Sequence, residues 1–334
     1  MTELRHDNLP VKIDGGQLLS ADQPELGRGV LGSVTGMMKA RHAYFLVFIL
    51  VSVLASWKTF SSLIVFSLHH EFSSHVILIP FISAYLLYTE RNRIFRSIHT
   101  SLLVGGALVV AALGVYWLAF RYTAFQDPVS YLPGTTLALV VMWIGGFFIC
   151  YGNKAGRAAA FPLLFLLLMI PLPENTLQQT ISLLQKGSTE LSFLLFKAVG
   201  VPVFRQGFIL SLPSVRIEVA QECSGIRSSI ALFITCLLAA HLFLRTGWKM
   251  ALFVLLALPL AIVKNAIRIV TLTLLSIYVD PGFLKGSLHH DGGFVFFLLT
   301  LVILSPVLLL LQKSERHKVS RPAKNQTASG TGLA

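Results

Sequence analysis

Three side-chain types in this sequence combine into one chemistry: a thiol at Cys223, guanidinium groups at Arg227 and Arg268, and imidazoles at His289 and His290. A thiolate is a strong nucleophile, and a neighbouring histidine serves it as general base and acid. Cys223 stands in Glu222-Cys-Ser-Gly-Ile-Arg-Ser228, where an apolar helix is predicted to begin. The spacing places Arg227 one turn later on the same face. A helix N-terminus and an adjacent cation each favour the thiolate, taking a cysteine pKa from about 8.5 to between roughly 3.5 and 7.5. Arg268 follows Lys264-Asn265 inside an otherwise apolar run, where an arginine costs roughly 2.5–3.5 kcal/mol on insertion scales, so it is expected to face protein and not lipid. His289 and His290 open a later apolar run in Ser287-Leu-His-His-Asp-Gly-Gly. The other two cysteines, Cys150 and Cys236, read as small buried hydrophobes. Cys223 and Cys236 lie about 20 Å apart along one predicted helix, which is too far for a disulfide.

The elements that must position these groups are membrane spans. The chain has 334 residues, is 54% hydrophobic and 13% charged, and has a mean hydropathy of +0.73, which excludes a water-soluble surface. Roughly 20 apolar residues cross a bilayer, and eight runs approach that length: 43–63, 72–89, 101–120, 133–151, 156–171, 224–244, 248–277 and 291–312. The fold class is therefore an all-α polytopic membrane protein with about eight transmembrane helices. The net charge of +12 does not point to nucleic acid, because the basic residues sit in short loops and not along one soluble face. Arg91, Arg93 and Arg96, then Lys154 and Arg157, then Arg245 and Lys249 occupy every second connection, and the two ends are basic as well. By the positive-inside rule both termini are cytoplasmic and the intervening loops external. That puts Cys223, His289 and His290 at one outward-facing boundary. Residues 1–42 read as a disordered cytoplasmic arm, 43–312 as the transmembrane domain, and 313–334 as a disordered cytoplasmic tail.

The longest external connection, 172–223, opens on Pro171-Leu-Pro173. Leu177, Ile181, Leu184, Leu191 and Leu195 then recur at helical spacing, which predicts an interfacial amphipathic helix. Residues 207–220 follow with Val215, Ile217 and Val219 alternating with Arg216 and Glu218, the pattern of a small β-hairpin. Such a hairpin would expose unpaired edges in lipid, so it is expected above the entrance to the sixth span.

Taken together, these residues resemble the exosortase/archaeosortase family of membrane-embedded cysteine transpeptidases. The resemblance is carried by Ser74-His75 and the apolar run to Arg91, Pro171-Leu-Pro173, Gly200-Val-Pro-Val-Phe-Arg-Gln-Gly207, Glu222-Cys-Ser-Gly-Ile-Arg227, Asn265-Ala-Ile-Arg268, and His289 followed by Gly293. It implies Cys223 as nucleophile, Arg268 as the essential arginine and His289 as the catalytic histidine, with Arg227, His290, Asn265 and His75 as accessory or alternative positions. The implied activity is cleavage of C-terminal sorting signals of the PEP-CTERM type on exported proteins through a thioacyl intermediate, passed to an unidentified acceptor. A link to surface anchoring and exopolysaccharide or biofilm production is also implied, as is a bacterial inner-membrane location with the site on the periplasmic side. No cofactor or metal is called for; the partners are the lipid bilayer and the exported substrates.

Two other classes compete. A metal-dependent membrane protein would use His69, His70, Glu71 and His75 with His289, His290 and Asp291. The spacing from His70 to His75, however, sets the two about 140° apart on a helix, unlike the i, i+4 pair of a zinc peptidase. A transporter would line its path with Lys264 and Arg268, but paired interrupted helices in the two halves are not apparent.

Overall fold

The computed structural model describes residues 24–96, 99–123, 128–221, 224–280, 282 and 293–319. Cys223, His289, His290 and Asp291 lie outside the described residues. Twelve α-helices are present among those described: α1 (Pro24–Ala55), α2 (Trp57–His69), α3 (Leu78–Thr89), α4 (Arg91–Ile94), α5 (Leu102–Thr123), α6 (Pro128–Ala158), α7 (Ala160–Phe165), α8 (Glu174–Ala198), α9 (Ile226–Phe243), α10 (Gly247–Leu255), α11 (Ala257–Tyr278) and α12 (Gly293–Val319). Residues 24–42 and 313–319, read from sequence as parts of an arm and a tail, belong to the first and last of these helices.

Among the described residues seven segments are long and apolar enough to cross a membrane: Gly36–Ala55, Phe72–Thr89, Leu102–Tyr122, Ser130–Ala158, Ile226–Phe243, Gly247–Tyr278 and Gly293–Arg316. An eighth arises if Ala160–Met169 and Glu174–Ala198, which meet at 91°, form one broken span. The expected count of about eight is met, with three shifts in position. The run expected over 43–63 is interrupted at Ser56, between α1 and α2. There the Ser52 hydroxyl donates to the Ile49 carbonyl (2.7 Å) and the Ser56 hydroxyl to the Ser52 carbonyl (2.5 Å), the back-bonding that bends helices. Trp143 Nε1 donates to Ser52 Oγ at 2.8 Å and ties the bend to α6. At the end of the fourth span, Gly152 takes φ +82°, outside the helical region. A Cβ there would lie 1.6 Å from the His99 carbonyl oxygen, so only glycine fits and the helix is broken where the apolar run ends.

The third shift concerns the run at 156–171. Its first residues end α6, and the rest forms only α7 and a 3₁₀ turn, Leu166–Met169, before Ile170 becomes extended and Pro171-Leu-Pro173 turns the chain. The amphipathic helix expected next is present as α8, but its buried face is packed lengthwise on α11. Gly187 abuts Ile262, Asn265 Nδ2 donates to Ser188 Oγ (3.0 Å), and Phe196 shares a cluster with Val270. Residue numbers rise together along both helices, so they run parallel. A helix lying flat in the interface would cross a spanning helix instead of following it. The buried face carries Gln185, Ser188, Thr189 and Ser192, which is why its sequence reads as a surface helix. Small and hydroxyl side chains let backbones approach closely in membrane bundles.

After α8 the chain forms three antiparallel strands, β1 (Phe204–Gln206), β2 (Ile209–Ser211) and β3 (Arg216–Glu218), with Gln206 opposite Ile209 and Ser211 opposite Arg216. The expected hairpin is β2–β3, and β1 extends it. Leu210, Leu212 and Val219 bury the sheet against Phe196 of α8 and Val270 of α11. Gln185 Nε2 donates to the Val219 carbonyl at 2.5 Å, which fixes the end of the sheet to α8 just before the chain reaches residue 222.

Candidate functional site

The site is built where the start of α9 meets the middle of α11 and the second half of α8. Ser224 is 1% exposed, and Gly225 precedes the helix at φ +73°. Its carbonyl accepts three bonds, from the Ser229 amide (2.9 Å), the Ser229 hydroxyl (2.8 Å) and the Ser228 hydroxyl (3.0 Å). These fasten a left-handed turn onto the first turn of α9. One expectation is corrected here. Since α9 begins at Ile226 after a left-handed residue, the i, i+4 face expected to join Cys223 to Arg227 does not extend back to residue 223. Arg227 lies in the first turn of α9 and is exposed.

Two α11 side chains grip this turn. Lys264, 4% exposed, hydrogen-bonds to the Ser228 hydroxyl, which in turn donates to the Gly225 carbonyl. A buried ammonium therefore polarises the donor that holds the turn. Asn265, 1% exposed, places its Oδ1 3.0 Å from where a Cβ on Gly225 would stand, while its Nδ2 bonds Ser188 of α8. Arg268 follows three residues after Asn265 and four after Lys264, on the same side of α11. It is half-buried, with its Nε fully shielded from solvent. Asn265 lies thirteen residues before the end of α11 at Tyr278, about 20 Å at 1.5 Å per residue. The Gly225 turn is thus sunk within the bundle and not laid on its rim.

Sequence reasoning picked out Arg268 as a buried cation and Lys264 as part of a possible path; it did not single out Ser188 or Ser228. Nothing in the local pattern of α8 marks Ser188, whose partner is 77 positions away. Ser228 closes the quoted cysteine motif, and its place one turn inside the helix was the available signal.

His75 is not brought into this network. It lies in a 3₁₀ segment, Glu71–Ile77, with its ring beside the backbone of Phe72 and Leu168. His69 and His70 bond the carbonyls of Val65 (2.8 Å) and Phe66 (3.1 Å) through Nδ1, and His70 stacks on Phe66 at 4.2 Å. Among the described residues no group of three or more His, Cys, Asp or Glu side chains is placed to hold a metal. Of the remaining cysteines, Cys236 is buried at 1% exposure and Cys150 is half-buried.

A family model described as transmembrane exosortase matches residues 57–305, about three quarters of the chain. The chain belongs to the transmembrane exosortase family. The match begins at the first residue of α2 and ends within α12, so it spans every element that meets at the Gly225 turn. No curated protein and no solved structure gives a significant match. Exosortase membership accounts for the multi-pass architecture and implies a protein substrate.

Proposed function

We propose that this exosortase is a cysteine peptidase and transpeptidase that cleaves C-terminal sorting signals of exported proteins, of the PEP-CTERM-like kind, from the outer side of a bacterial inner membrane. The observation that carries the reading is the seating of the Gly225 turn on Asn265 and Lys264. Residue 223 is two positions before that turn, and Arg268 stands on the same side of α11 as the residues that grip it. This arrangement supports a role for Cys223 and Arg268 in one centre; His289 is assigned to it from the family resemblance.

In the proposed reaction, Cys223 Sγ attacks the scissile carbonyl carbon while His289 takes the thiol proton. A C–S bond forms and the carbonyl oxygen gains negative charge, which the Arg268 guanidinium stabilises by directed hydrogen bonds. Collapse of this intermediate breaks the C–N bond, and His289 returns the proton to the leaving amine. The thioacyl group then passes to an acceptor nucleophile or to water, which restores the thiol. His290 is the alternative base, and Arg227 and Asn265 are accessory. Loop charge supports cytoplasmic termini, and surface anchoring with an exopolysaccharide role follows from the family resemblance.

The test is co-expression with a secreted reporter ending in a short sorting motif, an apolar helix and a basic tail. The expected result is a shortened reporter that depends on Cys223. Equal processing by Cys223→Ala overturns the reading.

A further inference from the structure

At the opposite end of the bundle from the Gly225 turn, α1, α3, α4 and α6 enclose a groove of about 800 Å³. Its interior is aromatic and aliphatic. Phe45 meets Phe147 and Tyr151 edge-on, with ring centroids at 5.7 and 5.5 Å. His42 Nδ1 bonds the Tyr151 hydroxyl at 2.7 Å, so the polar atoms in the floor satisfy each other. Three of the walls, from α1, α3 and α6, belong to segments long and apolar enough to span a membrane, and Leu46, Ala84 and Tyr88 along them are exposed.

One end of the groove is cationic. Arg91 and Asn92 line it there. The Arg91 guanidinium lies 4.2 Å over the Tyr88 ring and donates through Nη1 to the Tyr88 carbonyl at 2.9 Å. A guanidinium carries five donors in a rigid fork, of which this posture uses one, and Arg91 is exposed. Lys154 and Arg157, at the foot of α6, are exposed at the same end of the bundle. The nearby carboxylate of Glu90 is engaged elsewhere, by Arg93 at 3.0 Å and His241 at 2.6 Å.

We propose that this groove binds an anionic phospholipid, with an acyl chain along Phe45, Phe147 and Tyr151 and its phosphate on Arg91. An apolar slot in lipid capped by a fixed arginine matches an amphiphile whose charged end is negative, and basic pockets between spanning helices recognise such headgroups. A spanning peptide with a basic tail would bring like charge to the same cap. One wall, α1, precedes the residues matched by the family model, 57–305. The site stands independently of the reaction proposed above.

The experiment uses the purified full-length protein in detergent, titrated with dioleoylphosphatidylglycerol or with dioleoylphosphatidylcholine, and reads bound lipid by native mass spectrometry and the shift in Tm. Phosphatidylglycerol is expected to bind and raise Tm, and phosphatidylcholine with the same chains to do so at least about tenfold more weakly, the worth of one charge-assisted hydrogen bond. Arg91→Gln should abolish that preference. Ala84→Trp, which fills the groove from an exposed position on α3, should remove binding of both lipids. Equal binding of the two lipids to the unaltered protein overturns the proposal, as does a phosphatidylglycerol preference that survives both substitutions. Blockade by Ala84→Trp of a basic-tailed spanning peptide, but not of phosphatidylglycerol, overturns it too.

Discussion

Asn265 of α11 lies directly against Gly225, its Oδ1 3.0 Å from the position a Cβ would occupy, while Gly225 itself sits at φ +73°. Two constraints thus coincide at the turn two residues after Cys223. The left-handed backbone disfavours any Cβ by about 1–2 kcal/mol, and the contact removes the space for one. Gly225→Ala is expected to lose nearly all processing activity and to lower Tm. Gly225→Asn relieves part of the backbone penalty, since asparagine tolerates this region, but still meets Asn265. It should recover stability more than activity. Wild-type processing by Gly225→Ala, measured with the reporter, would show that the turn does not position the site.

The bond between Lys264 and Ser228 makes a second prediction. Ser228→Ala leaves a buried ammonium without its acceptor, at a cost of about 1–3 kcal/mol or more. Lys264→Met removes the cation and keeps the volume of the stem. The double variant should therefore be more stable than Ser228→Ala on its own, which thermal unfolding of the four proteins of the cycle measures. Strict additivity would mean that the two groups do not interact.

The seam between α8 and α11 is tested at Gly187, where a Cβ would approach Ile262 Cδ1 to 2.8 Å and Cγ2 to 3.1 Å. Gly187→Val should destabilise by about 1–3 kcal/mol, as overpacking of a close contact does. Leu183, 51% exposed on the same helix, should tolerate alanine within about 0.5 kcal/mol. A helix resting on the membrane surface would show no such contrast.

Arg268 separates charge from geometry. Lysine keeps the charge but loses the planar fork of donors. If Arg268 binds the oxyanion, Arg268→Lys should lose on the order of 100-fold in cleavage rate, and Arg268→Ala more, while both still insert. Full activity of the lysine variant, normalised to folded protein, would reduce Arg268 to a counter-charge.

The spans were legible because apolar runs need no long-range information, and the fourth run ends at residue 151, next to the kink that Gly152 puts in α6. The place of α8 was not legible. Its packed face mixes Leu177, Ile181, Leu184 and Phe196 with Gln185, Ser188, Thr189 and Ser192, polar types that water accepts as readily as a helix seam does, and the decisive partner, Asn265, lies 77 residues away from Ser188. The α9 boundary shows the same limit: a helical face drawn through Cys223 and Arg227 assumed a right-handed backbone at Gly225, whose conformation depends on contacts with α11. Arg268 and Lys264 stood out because a charge in an apolar run is visible wherever it points.

The most direct test is covalent. A variant carrying Cys150→Ala and Cys236→Ala, so that Cys223 is the one remaining thiol, is incubated in membranes with a sorting-signal substrate, quenched in acid and analysed by mass spectrometry. A thiol nucleophile predicts an acyl adduct on Cys223 that hydroxylamine releases, with processing retained in this variant and lost when Cys223→Ala is added. Continued processing after Cys223→Ala, with no adduct at residue 223, would contradict the account.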